Sequence, residues 1–222
     1  MRAIRVAVVV TTVALLAAVT ASASNMAFAL RLQVGGGAQE LRFVALPYQY
    51  TPDTAEDLCA DLGGTTSAVA EVLRWDEPTS RFVAHPCGTG TEDFDLEEGT
   101  AYGVRNAVGE AIDALIVGRH DAGFTLSVAA TSGSSLSWVS APYHAAIPDR
   151  AGTPGVVDAE DLCRAIGEDT VFAVVRWDET ESAYTAHVCG SVFDEGFELT
   201  VGEGYGLVNA EGQDISWQPE HY

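Results

Sequence analysis

The chain has 222 residues, with 32 acidic side chains against 11 basic ones, a net charge of −21 and a pI near 4.3. Nucleic acid and anionic membrane faces are excluded as partners, because grip on phosphates relies on Lys and Arg displacing counterions, and the chain has no lysine at all. A hydrophobic fraction of 47% and a mean hydropathy of +0.12 exclude a disordered chain and suit one or two domains with real cores.

Residues 1–23 read as a secretory leader. Arg2 and Arg5 form the charged start, an apolar run follows, and Ala21, Ser22 and Ala23 make an A-x-A cleavage site. The run is about 14 residues, short of the roughly 20 a bilayer-crossing helix needs. Cleavage removes two arginines and no acid, which leaves a net charge of −23. With no lipid motif in the tail, the mature chain is expected to be secreted, extracellular or periplasmic, without a membrane anchor.

After the leader, residues 25–34 and 41–48 read as strands parted by Gly35, Gly36 and Gly37. A helix of about ten residues comes next, with Leu58 and Leu62 as its buried stripe. Thr54 caps it, Glu56 and Asp57 sit in the dipole-favoured first turn, and Gly63 stops it. Residues 68–76 and 81–87 then form a hairpin about the polar tip Glu77, Pro78, Thr79 and Ser80. Segments 94–96, 102–106 and 111–118 are expected to complete one sheet, or two facing sheets, of up to seven strands.

From there the grammar repeats. Ala55, Glu56, Asp57, Leu58 and Cys59 recur unchanged as Ala159, Glu160, Asp161, Leu162 and Cys163, with Asp158 as cap, Ile166 in the stripe and Gly167 as stop. Arg74, Trp75, Asp76 and Glu77 recur as Arg176, Trp177, Asp178 and Glu179, and Ala84, His85, Cys87 and Gly88 as Ala186, His187, Cys189 and Gly190. Phe94, Leu96, Gly99 and Tyr102 match Phe197, Leu199, Gly202 and Tyr205. The offset moves from 95 to 104 across 145–157, an insertion with Pro and Gly that suits a surface loop. So long a period indicates two homologous domains, 24–120 and 121–222, each predominantly β with one short helix.

Four cysteines in an exported chain, two at matching places in each copy, imply two disulfides, most simply Cys59–Cys87 and Cys163–Cys189. His85 and His187 stand two residues before a cysteine, on the same strand face, and are read as buried rings bonded to backbone or a carboxylate. No zinc motif accompanies them. Asp76 and Asp178 suit turn-forming hydrogen bonds. Trp75 and Trp177 read as core, with a stacking platform for sugars or proline-rich peptides as the alternative. No cofactor is expected; calcium is the alternative, from loop acids such as Glu92, Asp93, Asp194 and Glu195, although no EF-hand loop is present. Residues 131–135 lack the G-x-S-x-G elbow and read as a turn.

These motifs, L-P-Y, A-E-D-L-C, R-W-D and F-x-L-x-x-G-x-x-Y, resemble an uncharacterised module of secreted and surface proteins of bacteria, here in tandem over 41–109 and 136–212. The resemblance carries no chemistry to transfer. The sequence reading is therefore an α+β, predominantly β, secreted acidic binding or structural module, with an unknown protein or glycan as partner and no catalytic signature. The alternative is an exported hydrolase using carboxylates near the domain interface.

Overall fold

The computed structural model describes residues 25–32, 41–63, 69–107, 111–119, 121, 123–128, 136–140, 158–193, 196–200, 202–210 and 212–218, with backbone alone for 25–32. The expected leader, the 145–157 insertion, residues 131–135, Asp194, Glu195, His120, His144 and His221 lie outside the described residues.

In chain order the first half comprises β1 (Asn25–Leu32), β2 (Leu41–Ala45), β3 (Gln49–Tyr50), α1 (Ala55–Gly63), β4 (Val69–Asp76), β5 (Arg81–Pro86), β6 (Ala101–Asn106) and β7 (Ile112–Arg119). The second comprises β8 (Leu126–Val128), β9 (Leu136–Ser140), α2 (Ala159–Ile166), β10 (Val171–Asp178), β11 (Ala183–Val188), β12 (Gly204–Asn209) and β13 (Ile215–Trp217). Each half has a four-stranded antiparallel sheet of the same order, β2-β6-β4-β5 and β9-β12-β10-β11. Smaller antiparallel sheets, β1-β7-β3 and β8-β13, accompany them. The fold is thus β-rich with two short helices. No helix among the described residues is long and apolar enough to cross a membrane.

Local chemistry sets the elements. Thr54 Oγ1 accepts from Asp57 N at 3.3 Å and Asp158 Oδ1 from Asp161 N at 2.8 Å, so each helix starts at a side-chain cap. Gly167, at φ 127°, closes the second helix through its N–H to Cys163 O. The hairpins hold Trp75 opposite Phe82 and Trp177 opposite Tyr184, while Ser80 and Ser182 take left-handed turn positions at φ 49° and 50°.

Two expected strands are corrected. Pro47 has no N–H for a ladder, and the 41–48 run ends at Ala45, after which Gln49 and Tyr50 join β7 in the other sheet. Residues 94–96 make one isolated antiparallel bridge, Asp95 to Thr54, rather than a ladder strand of the sheet. The bonds Ala55 N to Phe94 O and Leu96 N to Asp53 O tie them to the start of α1.

Leu58 and Leu62 of α1 pack with Val44, Val72, Tyr102, Val104 and Ile116. Leu162 of α2 packs with Val174, Tyr205, Leu207 and Ile215. Burying each such side chain contributes roughly 1.5–3 kcal/mol. A third cluster lies between the halves. There Phe43 stacks on Trp138 at 3.6 Å, with Ala101 buried beside them and Trp75, Phe82, Leu136 and Trp177 at the margin.

Backbone contacts across this junction come in corresponding pairs. Bridge Val44–Glu203 matches bridge Thr100–Val139, and Ala45 N to Gly202 O, 2.9 Å, matches Ser140 N to Gly99 O, 2.8 Å. The halves therefore meet about a local pseudo-two-fold axis. Gly204 is needed there, because a Cβ on it would lie 2.4 Å from Ala101 Cβ.

Candidate functional site

Two regions gather chemistry-bearing side chains: a helix clamp in each half and a cleft between the halves.

In the first clamp His85, fully buried at the end of β5, places Nε2 2.7 Å from Glu56 Oε2 and Nδ1 2.9 Å from Thr91 O. A carbonyl only accepts, so Nδ1 donates to Thr91, and Nε2 is left to pair with the Glu56 carboxyl group. Glu56 also accepts the Gly88 N–H, at 2.9 and 3.1 Å. The second clamp repeats this. His187 Nε2 lies 2.8 Å from Glu160 Oε2, which accepts Gly190 N–H at 2.9 Å.

Beside each pair runs a disulfide, Cys59–Cys87 and Cys163–Cys189, joining the helix to the residue just past the strand. The Glu, Cys and His atoms of each clamp lie within 4.8 Å of one another, a spacing that suits a metal. Both sulfurs are nevertheless spent in a disulfide and Nε2 on a carboxylate. The clamp fixes the helix, the strand end and the following turn together.

The other sequence candidates fall into place around it. Asp76 accepts from Thr79 Oγ1, and Asp178 Oδ1 accepts from Thr180 N and Glu181 N at 2.9 and 3.0 Å, so both acids shape their hairpin tips. Trp75 and Trp177 belong to the cluster between the halves, edge-on to Phe82 and Tyr184 at 4.9 and 4.8 Å. Asp93 Oδ1 accepts from Glu56 N at 3.1 Å, so this loop acid is engaged at the start of α1. Sequence reasoning missed Arg74 and Arg176, whose guanidinium carbons sit 4.8 and 4.9 Å above the Phe94 and Phe197 rings. Their recurrence in register was the available signal.

The cleft, about 630 Å³, is walled by residues 74–78 and 97–100 of the first half and 124–128 and 137–139 of the second. That volume lies within the ordinary range for ligand sites. Among the described lining residues, Asp76, Glu77, Glu97 and Glu98 stand against one cation, Arg74. Arg74 lies 3.9 Å from Glu97, and Ser137 Oγ donates to Glu77. Burial, and then the nearby Asp121 carboxylate, push the Glu98 carboxyl up from its ordinary value. Trp75 and Trp138 line the same cleft, and neither indole N–H has an acceptor among the described residues. Gly99, at φ 77° with a would-be Cβ 2.3 Å from the Phe124 ring, lets the two walls close at their base.

Comparison with protein-family models, curated proteins and solved structures returns no match.

Proposed function

We propose that this is an exported acidic binding protein, built from two copies of one disulfide-clamped module, with its ligand held in the cleft between the copies. The observation that carries the reading is a cleft lined by both halves, with four carboxylates and one guanidinium among its described lining residues, while the recurring His and Glu pairs are engaged in holding the fold. The 1–23 leader, the two disulfides and the resemblance to a secreted bacterial module support an extracellular or periplasmic setting.

The test is a glycan and peptide array read with the wild-type protein and with Ser127→Trp, which fills the cleft from an exposed position of its wall. A ligand bound by the first and lost by the second is expected. Ligands bound equally by both overturn the cleft as the site.

The raised carboxyl of Glu98 among other acids favours one second reading, a hydrolase with Glu98 as proton donor. Turnover of a glycoside, ester or peptide panel that disappears in folded Glu98→Gln makes that reading the better one.

A further inference from the structure

Part of the second-half wall of the cleft is the segment that contains β8. Consecutive residues 124–128 line the cleft although Leu126 and Val128 turn their side chains into the core and Ser127 is exposed. Side chains on a strand alternate between faces, so an unbroken run of lining residues means that the backbone itself borders the space. β8 pairs with β13, and among the described residues its other edge meets no strand. Such an edge offers N–H and C=O groups for another strand to meet. Near it the fully embedded Trp138, 3% exposed, keeps an indole N–H without an acceptor among the described residues.

The same cleft is lined by acids. The Glu97 side chain is 67% exposed and Glu98 is exposed beside it, with Arg74 as the one cation among the described lining residues. A free edge, a buried donor lacking an acceptor and carboxylates lining the same cleft together describe one kind of occupant. It has carbonyls and N–H groups in extended array and positive side chains.

We propose that the cleft binds an extended peptide segment bearing arginine or lysine, which adds as a strand to the open edge of β8 and sets its cationic side chains against Glu97 and Glu98. This rests on the cleft being the binding site and names its ligand class. Five lining residues at about 3.3 Å each span roughly 15 Å, so a segment of about five residues fills the edge. Backbone pairing supplies affinity and the side-chain contacts supply selection, as in other cases of strand addition. The net charge of −21 also steers a basic partner toward the protein.

The experiment is calorimetric titration of the full chain with a five-residue peptide alternating arginine and valine. Companion probes are the same peptide N-methylated at alternate residues, a glutamate and valine peptide, and spermine. The arginine peptide is expected to bind, to weaken at least tenfold on N-methylation, and to weaken at least tenfold in Glu97→Gln/Glu98→Gln; the glutamate peptide is expected not to bind. The N-methyl comparison uses the unaltered protein, so a misfolded variant cannot mimic the result. Equal affinity for the N-methylated peptide, binding by spermine as tight as by the peptide, or no preference for arginine over glutamate overturns the proposal. An array ligand that still loses binding in Ser127→Trp then shows that the cleft stands and only the ligand class fails.

Discussion

Glu56 and Glu160 occupy the same turn of their helices, bond to corresponding partners, His85 with Gly88 and His187 with Gly190, and sit in different surroundings. The Glu56 side chain is 38% exposed, whereas Glu160 is 8% exposed. Beside Glu160 stands Arg164, 3.7 Å from it, 3.1 Å from Asp161 and 3.7 Å from Glu168; the corresponding first-half position is Ala60. A carboxylate taken out of water needs compensating charge and hydrogen bonds, and the more deeply buried copy has the extra cation. One set of bonds can thus be marginal in one half and demanding in the other.

The sharpest way to break this comparison is to remove each carboxylate. Glu160→Ala should cost about 4 kcal/mol, because His187 and the Gly190 N–H are left buried without their acceptor. Urea denaturation followed by circular dichroism measures it, and a cost equal to that of Glu56→Ala would end the distinction.

The disulfides should behave alike where the carboxylates differ. Replacing Cys59 and Cys87 by serine, or Cys163 and Cys189, should each cost roughly 3.5 kcal/mol in the chain-entropy description, since the separations are 28 and 26 residues. Unequal losses in thermal unfolding would point to differences beyond loop length. Glu56→Ala is expected to cost about 2 kcal/mol, as water reaches the vacated groups.

An effect confined to strongly alkaline solution concerns the tyrosines whose hydroxyls accept the Glu97 and Thr200 N–H groups, both at 2.5 Å. Burial pushes the Tyr102 phenol up to about 12, with the Glu97 N–H bond and then Arg74 pulling the other way; burial and the Glu203 carboxylate push Tyr205 higher still. A phenol raised in the folded state gives stability that is present below its unfolded value of 10 and lost as pH rises. Stability should therefore fall between pH 10 and about 12 through Tyr102, and Tyr205 should ionise later. Phenolate absorbance in wild type and in Tyr102→Phe separates the two.

Much of the fold is legible in the residues themselves. Cap and stripe mark both helices, Gly167 stops the second, and the Glu77 to Ser80 tip defines the hairpin, because these depend on neighbours a few residues away. Residues 94–96 mislead because Phe94 and Leu96 alternate like a strand, yet their backbone bonds go to the start of α1. The clamps are half legible: a buried histidine bonded to a carboxylate is the expectation for His85, but its partner Glu56 looks like an ordinary first-turn acid.

By itself, then, the sequence determined the acidic character of the chain, the ends of the helices and the hairpin turns, all of them local properties of composition and short-range spacing. Tertiary structure alone decided that Phe43 stacks on Trp138, that four separate segments wall one cleft, and that residues 124–128 are one of them. Those features arise from how two sheets meet about an axis, and that packing rests on contacts between residues far apart in the chain, which no local pattern encodes.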